Sequence, residues 1–258
     1  MAATPTWDPE QYSRFARPRS RPFHDLVAQV GADAPDLVVD LGCGSGELTV
    51  DLARRWTGAT VRGVDPSPEM IARAPSGAGV EFSPGTAEEF DATGVDVLVT
   101  NAVLQWVPSH RDLLVRWAGQ LDPGGWLAFQ VPANFGAPSH RLLRELAASP
   151  EWAGELDGVL RGTESVAEPA EYLDLLAGAG LVADVWQTGY QHVLTGPDPV
   201  LEWVRGTGLR PVLQALSPDR AQEFTDRHAG LLREAYPARP YGTPFAFLRT
   251  FAVARRPG

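Results

Sequence analysis

The fold is decided by one stretch of the chain, Leu37-Val38-Val39-Asp40-Leu41-Gly42-Cys43-Gly44-Ser45-Gly46-Glu47-Leu48-Thr49. Its apolar, β-branched start predicts a buried strand. The three glycines on alternate positions predict a sharp turn, and Leu48 and Leu52 at helical spacing predict a helix. A strand, a glycine turn and a helix in this order form the entrance to a nucleotide-type site in an α/β sheet, where glycine lets a ligand approach the main chain closely.

The spacing of the glycines indicates which ligand the turn accepts. A dinucleotide site has the pattern G-x-G-x-x-G, whereas this turn has G-x-G-x-G and carries Asp40 at the end of the strand. A carboxylate there would repel a phosphate group and attract an ammonium group. The stretch resembles motif I of the class I S-adenosylmethionine-dependent methyltransferases. The alternative is a tight strand-to-helix connection that binds no ligand.

Predicted strands and helices alternate along the chain, which indicates an α/β fold with a parallel, doubly wound sheet. After the first strand, further strands are predicted at residues 59–64, 80–82, 95–100, 126–131, 182–194 and 245–254. Helices are predicted from residue 9, at 22–30, from the glycine turn to 55, from 66, and at 111–121, 169–178, 199–207, 210–216 and 218–236. The resemblance to class I methyltransferases implies that this Rossmann-like sheet has seven mostly parallel strands, an antiparallel last strand and helices on both faces.

We expect a single domain over residues 1–258, with a cofactor-binding core at 31–135 and a helical N-terminal lid at 1–30. A hairpin between the strands at 182–194 and 245–254 would need only a few residues, yet about 50 residues separate them. Such an insert favours a specificity element, so we expect residues 195–244 to form a helical lid over the acceptor pocket. The alternative is packing on the edge of the sheet.

The composition excludes several classes of protein. With 44% hydrophobic and 21% charged residues, the 258-residue chain is an ordinary globular one, and its net charge of −10 argues against non-specific nucleic-acid binding. The single Cys43 excludes an intrachain disulfide and a thiolate metal cluster, so we expect no metal. Because we find neither a secretory signal nor an apolar run of membrane length, we expect a cytoplasmic protein without a membrane partner.

Polar and small residues follow four of the predicted strands directly. They are Asp40 to Gly46 after the first strand, Asp65 after the second, Thr86 and Ala87 after the third, and Asn101 and Ala102 after the fourth. Because the carboxyl ends of parallel strands meet at one edge of a sheet, near the topological switch point, we expect these groups to form one site. The predicted cofactor-binding residues are Asp40, Leu41, Gly42, Cys43, Gly44, Gly46, Asp65, Pro66, Met70, Thr86, Ala87, Asn101 and Ala102.

The chemistry of S-adenosylmethionine implies a role for each group. Asp65 lies about 20 residues beyond the glycines, where a Rossmann-like sheet places the acid that accepts from the ribose hydroxyls. Asp40 favours the ammonium group, and Met70 covers the adenine. Thr86 and Ala87 are expected to contact the edge of the adenine. Asn101 and Ala102 are expected to border the methionine moiety and the methyl group.

Several longer segments are similar to the trans-aconitate 2-methyltransferase family, and the similarity runs nearly from end to end. The segments are Trp7-Asp8-Pro9, Arg19-Ser20-Arg21-Pro22, the glycine turn, Gly63-Val64-Asp65-Pro66, Leu104-Gln105-Trp106, Thr207-Gly208-Leu209-Arg210-Pro211 and Phe251-Ala252-Val253-Ala254-Arg255-Arg256. The resemblance implies methyl transfer from S-adenosylmethionine to one carboxylate of trans-aconitate. One departure is Thr86, where the family pattern often has Asp; a hydroxyl accepts a hydrogen bond more weakly than a carboxylate does.

An acceptor with three carboxylates needs positive charge around it, since the cofactor site already supplies two acids. All 22 basic residues are Arg, and Arg pairs bidentately with carboxylates. The predicted acceptor-binding residues are Arg19, Arg21 and Arg210 as clamps, and Tyr12, Trp106 and His192 as walls. The alternatives are exposed, solvated arginines, a structural His192 and a core Trp106. A carboxylate is already a nucleophile at pH 7, so no catalytic base is predicted, and catalysis depends on proximity and alignment.

Three other functions are open at this stage. The acceptor could be another small carboxylic acid or an acid bound to a carrier, because the cofactor half would look the same. The chain could also be a catalytically silent S-adenosylmethionine-binding protein. A nucleic-acid methyltransferase is disfavoured by the acidic charge, and a nicotinamide dehydrogenase by the glycine spacing. The sequence does not decide between a monomer and a dimer.

Overall fold

The computed structural model of the chain describes residues 16–77, 79–160, 162 and 165–258, with side chains from residue 20 onward. The helix predicted from residue 9 lies outside the described residues. The strands are β1 (Leu37–Leu41), β2 (Thr60–Asp65), β3 (Val80–Pro84), β4 (Val97–Asn101), β5 (Trp126–Pro132), β6 (Val182–Leu194) and β7 (Thr243–Arg255). The helices are α1 (Ala16–Val27), α2 (Glu47–Arg55), α3 (Pro68–Ile71), α4 (His110–Gln120), α5 (Pro138–Ala147), α6 (Ala153–Leu156), α7 (Pro169–Gly178), α8 (Pro199–Arg205), α9 (Arg210–Ala215) and α10 (Pro218–Ala235), with a 3-10 turn at Leu104–Trp106.

The seven strands form one sheet in the order β3-β2-β1-β4-β5-β7-β6. The strands β1 to β5 are parallel to one another, and β7 runs antiparallel to β5. The predicted mostly parallel sheet with an antiparallel last strand is therefore confirmed. Because the chain proceeds outward from β1 in one direction and from β4 in the other, the topological switch point lies between these two strands.

Two compact units can be described separately. The core unit comprises Arg19–Pro132, Ser165–Thr188 and Arg249–Gly258. Its apolar centre includes the fully buried side chains of Trp117, Phe129 and Tyr172, with the Phe129 and Tyr172 rings in edge contact at 5.0 Å between centroids. These residues fix the helices α4 and α7 to β5, so that the parallel strands have a rigid support.

The helical unit contains the described residues of Ala133–Glu164 and Gly189–Leu248. It has a core of its own, in which Trp152 packs edge-on against Phe224 at 5.0 Å, and Trp203 packs against Phe245 at 5.5 Å. The helices α8, α9 and α10 follow the predicted insert closely. The helices α5 and α6, by contrast, come from a segment for which the sequence patterns predict no element, and they add to the same core.

The helix α1 differs from its prediction, because it begins at Ala16 and not at Pro22. Pro22 lies inside the helix, where it removes one backbone hydrogen bond. The side chains of Phe23, Leu26 and Val27 are nevertheless buried. Burial of this apolar face offsets the cost of the proline, which illustrates how tertiary packing overrides local propensity.

The glycine turn between β1 and α2 needs glycine for two different reasons. Gly42, Gly44 and Gly46 all have positive φ angles, of 82°, 57° and 77°, a region that other residues rarely adopt. A Cβ atom on Gly42 would lie 2.1 Å from a methyl carbon of Val103, and one on Gly46 would lie 2.4 Å from the ring of Phe82. A Cβ atom on Gly44 would meet nothing within 4 Å. Only Gly44 therefore opens toward free space.

These contacts predict unequal effects of alanine in the turn. Gly44→Ala should cost about 1 kcal/mol of stability, the penalty of a left-handed conformation. Gly42→Ala should cost roughly 3 kcal/mol or more, since it adds a clash to the same penalty. Urea denaturation of both variants, and of Gly42→Ala combined with Val103→Ala, measures this difference. A double-mutant cycle without coupling between positions 42 and 103 would contradict the packing explanation.

Candidate active site

Asp65, the last residue of β2, holds the glycine turn in place. Its carboxylate accepts hydrogen bonds from the backbone N–H of Gly44 at 2.8 Å and from that of Ser67 at 2.9 Å. The N–H groups of Gly42 and Cys43 also donate to the carbonyl of Val64, at 2.7 and 3.1 Å. The turn that follows β1 is thus attached to the end of β2, and the two predicted acids lie at the same edge of the sheet.

Asp40, in β1, is a buried carboxylate, only 2% exposed. It accepts a hydrogen bond of 2.7 Å from the hydroxyl of Thr49, a buried residue of α2. Burial raises the pKa of Asp40 from 3.8 to about 6, and the nearby charge of Asp65 adds to this rise, whereas the bond from Thr49 opposes it. A cationic ligand would stabilise the ionised form, as the predicted role beside an ammonium group requires.

Cys43 lies in the same turn with a half-buried thiol. Burial, followed by the charges of Asp40 and Asp65, raises the pKa of this thiol far above its ordinary value. The thiol therefore stays protonated at neutral pH, and Cys43 contributes its backbone and its volume to the turn.

The predicted adenine-side residues follow β2 and β3. The N–H of Gly85 donates to the carbonyl of Asp65 at 3.1 Å, which joins the end of β3 to this edge. The hydroxyl of Thr86 donates to Glu89 at 3.1 Å and accepts from the N–H of that residue, and Ala87 is buried. Met70 lies on the short helix α3, after the exposed Pro66.

A hydrogen-bonded chain crosses the ends of β4, β5 and β7. Arg249 donates to the side-chain oxygen of Gln130 at 2.8 Å, and Gln130 donates to the side-chain oxygen of Asn101 at 2.5 Å. The carbonyl of Gln130 accepts from the N–H of Ala102 at 2.9 Å, and Gln105 donates to the carbonyl of Ala102 at 2.6 Å. These bonds hold Ala102 at a φ of 57°, which is rare for a residue other than glycine.

Gln130 and Arg249 are absent from the predicted site residues, and so is Thr49. A signal for the first two exists in hindsight. Gln130 interrupts the apolar run of β5, and Arg249 interrupts that of β7. Both are buried polar residues in strands, and a buried polar group requires a hydrogen-bonding partner or a function.

The predicted acceptor-binding residues are distributed over both units. In the core unit, Arg21 is exposed on α1 and pairs with Asp25 at 3.6 Å, and Trp106 lies half-buried just after β4. In the helical unit, Arg210 begins α9, and the ring of His192 stacks on Trp203 with centroids 4.9 Å apart. Tyr12 lies outside the described residues, and for Arg19 only the backbone, in α1, is described. The roles proposed for these residues stay predictions.

The described part of the chain contains neither a candidate metal-binding cluster nor a candidate membrane-spanning helix. Within residues 16–77, 79–160, 162 and 165–258, no group of three or more His, Cys, Asp or Glu side chains could hold a metal ion. No helix in the same ranges combines the length and the apolar character that crossing a bilayer requires.

A glycine turn at the switch point, with acids at the ends of β1 and β2, is the cofactor-site geometry of a Rossmann-like sheet, and the similarity to known proteins identifies its class as the class I S-adenosylmethionine-dependent methyltransferases. Residues 39–129 match the methyltransferase domain family. The chain is 52% identical to the trans-aconitate 2-methyltransferase of Streptomyces coelicolor, covering 99% of this chain and 88% of that protein, and 49% identical to the one from Streptomyces avermitilis, covering 99% and 98%. The structure of the YcgJ protein from Bacillus subtilis is similar in fold, with a TM-score of 0.57 at 16% identity, covering 92% of this chain and 99% of that one. The chain belongs to the trans-aconitate 2-methyltransferase family.

The described residues fit S-adenosylmethionine, the methyl donor of this family. A carboxylate has about four lone-pair sites, and the amides of Gly44 and Ser67 use two of those on Asp65, which leaves capacity for the two ribose hydroxyls. The open side of Gly44 lets a ligand lie against the backbone of the turn. Asn101 accepts from Gln130 through its oxygen, so its NH₂ group is the part that can donate to a ligand.

Loss of the Asp65 carboxylate should weaken cofactor binding. Asp65→Ala removes both hydroxyl acceptors and the anchor of Gly44, so we expect the dissociation constant for S-adenosylmethionine to rise about 100-fold. Asp65→Asn keeps one acceptor oxygen and should have a smaller effect. Calorimetric titration measures both, with Asp112→Ala on the exposed face of α4 as the control. An unchanged affinity in Asp65→Ala would remove Asp65 from the cofactor site.

The raised pKa of Asp40 predicts a pH dependence of stability. The folded pKa of about 6 lies above the ordinary value of 3.8, so the folded chain binds this proton more tightly than the unfolded chain does. The resulting stability is complete below pH 3.8 and is lost as the pH rises through about 6. Between pH 4 and pH 7, Asp40 should therefore lower the free energy of unfolding by up to about 3 kcal/mol.

The comparison variant is Asp40→Asn, which keeps an acceptor for Thr49 but has no charge to bury. Urea denaturation without added cofactor, at pH 4 to 7, should show a flatter pH profile for this variant than for the wild type. Asp112→Asn, which changes an exposed acid, should follow the wild-type profile. Parallel profiles for wild type and Asp40→Asn would show that the pKa of Asp40 is not raised.

Proposed function

We propose that this chain transfers a methyl group from S-adenosylmethionine to one carboxylate of trans-aconitate and so forms a monomethyl ester. The observation that carries the proposal is the near-full-length identity of about half the residues to trans-aconitate 2-methyltransferases. The strand order, which brings the predicted cofactor residues after β1, β2 and β4 to one edge of the sheet, supports the proposal. When bound, this donor supplies a methyl group activated by a positively charged sulfur atom.

The chain's own residues need to position the reactants and not to move a proton. A carboxylate with a pKa of about 4 is ionised at pH 7 and already nucleophilic. Alignment of its oxygen with the methyl carbon and exclusion of water then supply the rate enhancement. The protonated thiol of Cys43 does not compete as a nucleophile, because its raised pKa keeps it neutral.

The charge balance requires cations on the acceptor side. Asp40 and Asp65 place two carboxylates on the cofactor side, and trans-aconitate adds three negative charges. Arginine is suited to this task because its planar guanidinium donates two parallel hydrogen bonds to a carboxylate. We therefore retain Arg19, Arg21 and Arg210 as proposed clamps, and residues 195–244 as the proposed acceptor lid.

The substrate of the proposed reaction is a small molecule, which is in keeping with the acidic net charge of −10. That charge gives no support to nucleic-acid binding. We propose that the reaction takes place in the cytoplasm, and the proposal requires neither a monomer nor a dimer.

A transfer assay tests the function directly. The protein is incubated with methyl-labelled S-adenosylmethionine and trans-aconitate, and base-labile methyl ester is counted; one mole of ester per mole of donor consumed is expected. The same assay with Asp65→Ala, which should bind the donor more weakly, serves as the control with reduced activity. Carrier-bound acids and other small di- and tricarboxylates complete the panel. If ester forms on one of these acids and none forms on trans-aconitate, that acid is the acceptor. Cofactor binding without any ester would identify a catalytically silent binding protein.

A further inference from the structure

We propose that Thr49 is a positioning residue of the cofactor site, which holds the Asp40 carboxylate in place and in its ionised form for the ammonium group of the methyl donor. The proposal deepens the donor half of the proposed function and rests on the predicted role of Asp40. The sequence patterns do not single out Thr49, because one threonine in a helix has no diagnostic spacing. In the structure its side chain is fully buried, and its hydroxyl donates to Oδ2 of Asp40 at 2.7 Å.

The hydrogen bond from Thr49 to Asp40 spans the glycine turn. Asp40 precedes the turn in β1, and Thr49 follows it as the third residue of α2. Gly46, at the N-cap of α2, provides no side-chain bond, so the Thr49 hydroxyl attaches the start of the helix to the strand. Asp65 attaches Gly44, in the middle of the turn, to the end of β2. The two carboxylates therefore fix the turn at different points.

The surroundings of Asp40 oppose its ionisation, and Thr49 acts in the other direction. Burial and the charge of Asp65 raise the pKa of Asp40, to about 6, whereas the hydrogen bond from Thr49 lowers it. The thiol of Cys43 also interacts with Asp40, and its own pKa is raised so far that it stays neutral. Within the described ranges, no arginine or histidine forms an ion pair with Asp40. Thr49 is thus the described side chain that favours the ionised carboxylate.

The Asp40 carboxylate keeps capacity for a ligand after it has bonded to Thr49. An ionised carboxylate has about four lone-pair sites on its two oxygens, and the hydroxyl uses one of those on Oδ2. A hydroxyl that donates to the ionised form stabilises that form over the protonated one. Because a buried charge is weakly screened, the matching ligand is a cation. The amino-acid part of the methyl donor carries an ammonium group, which meets this requirement.

This arrangement couples cofactor binding to the release of a proton. At pH 6, about half of the free protein should carry a proton on Asp40, since the pKa is about 6. A cationic ligand that needs the ionised carboxylate expels this proton, so about 0.5 proton should be released per ligand bound. Without the Thr49 hydroxyl, the free carboxylate keeps its proton up to a higher pH. The amount released at pH 6 should then rise toward one proton per ligand.

Calorimetric titration in buffers of different ionisation enthalpy measures both the affinity and the number of protons released. The first ligand is S-adenosylhomocysteine, the demethylated form of the donor. The second is 5′-methylthioadenosine, which keeps the adenosine and the thioether but lacks the ammonium group. At pH 6, Thr49→Val should weaken binding of the first ligand about 10-fold, with increased proton release, and change the second by less than about 2-fold. Thr49→Ser keeps the hydroxyl and should restore both wild-type values.

Two further variants serve as references. Asp40→Asn cannot titrate, so its proton release at pH 6 should be close to zero, and adding Thr49→Val to it should change the S-adenosylhomocysteine affinity much less. Thr93→Val is the matched control, because Thr93 also donates to an aspartate, Asp91, at 2.7 Å, but on the exposed surface. It should bind both ligands as the wild type does. The affinity for 5′-methylthioadenosine also reports whether each variant is folded.

The possible outcomes separate this inference from the proposed function. Equal weakening of both ligands by Thr49→Val, with unchanged proton release, would show that Thr49 only supports the turn, and would overturn the inference alone. Equal proton release by wild type and Asp40→Asn would also overturn it. If the wild type releases the expected proton but esterifies no acid, the inference stands and the proposed function fails. A wild type that does not bind S-adenosylhomocysteine would overturn both.

Discussion

The geometry of the site depends on one carboxylate, that of Asp65. It accepts from the backbone of Gly44 in the turn after β1 and from that of Ser67 at the start of α3. A single side chain therefore ties two strand ends and one helix together. Because a charge-assisted hydrogen bond to a backbone N–H is strong and directional, the open face of Gly44 is held in a fixed position against the end of β2. The same carboxylate retains acceptor capacity for a ligand, so the residue that supports the turn is also the one predicted to bind the ribose.

The site also carries an electrostatic cost, since two acids lie close together at one sheet edge. Asp40 shows this cost as a pKa raised to about 6, caused first by burial and then by Asp65. A protein that kept two carboxylates there for structure alone would gain more from neutral hydrogen-bonding residues. The arrangement becomes reasonable when a cationic donor binds beside it. At the same edge, the buried Arg249 donates to Gln130, and Gln130 donates to Asn101.

Much of the fold could be predicted from the sequence because local patterns and tertiary structure agree in the core unit. The glycine turn, the strand ends and the long strand at Val182–Leu194 are each marked by short-range signals. The patterns were less informative where packing decides the structure. The helix α1 continues across Pro22 because its apolar face is buried, and α5 and α6 have no periodicity strong enough to be recognised without the core that they complete.

The candidate site likewise contains residues that local sequence signals reveal and residues that only the tertiary structure reveals. Residues predicted to contact the cofactor through the backbone, such as Gly44, are visible in the sequence because only glycine satisfies the turn. Arg249 and Gln130 leave only the weaker signal of a polar residue within an apolar strand. Their contact depends on β7 returning antiparallel beside β5, nearly 120 residues after Gln130 along the chain, and pairing in one particular register. A shift of that register by one residue would turn the guanidinium to the opposite face of the sheet. The hydrogen-bonded chain from Arg249 to Asn101 is therefore a property of the completed sheet, and strand pairing, more than any local motif, determines which side chains meet there.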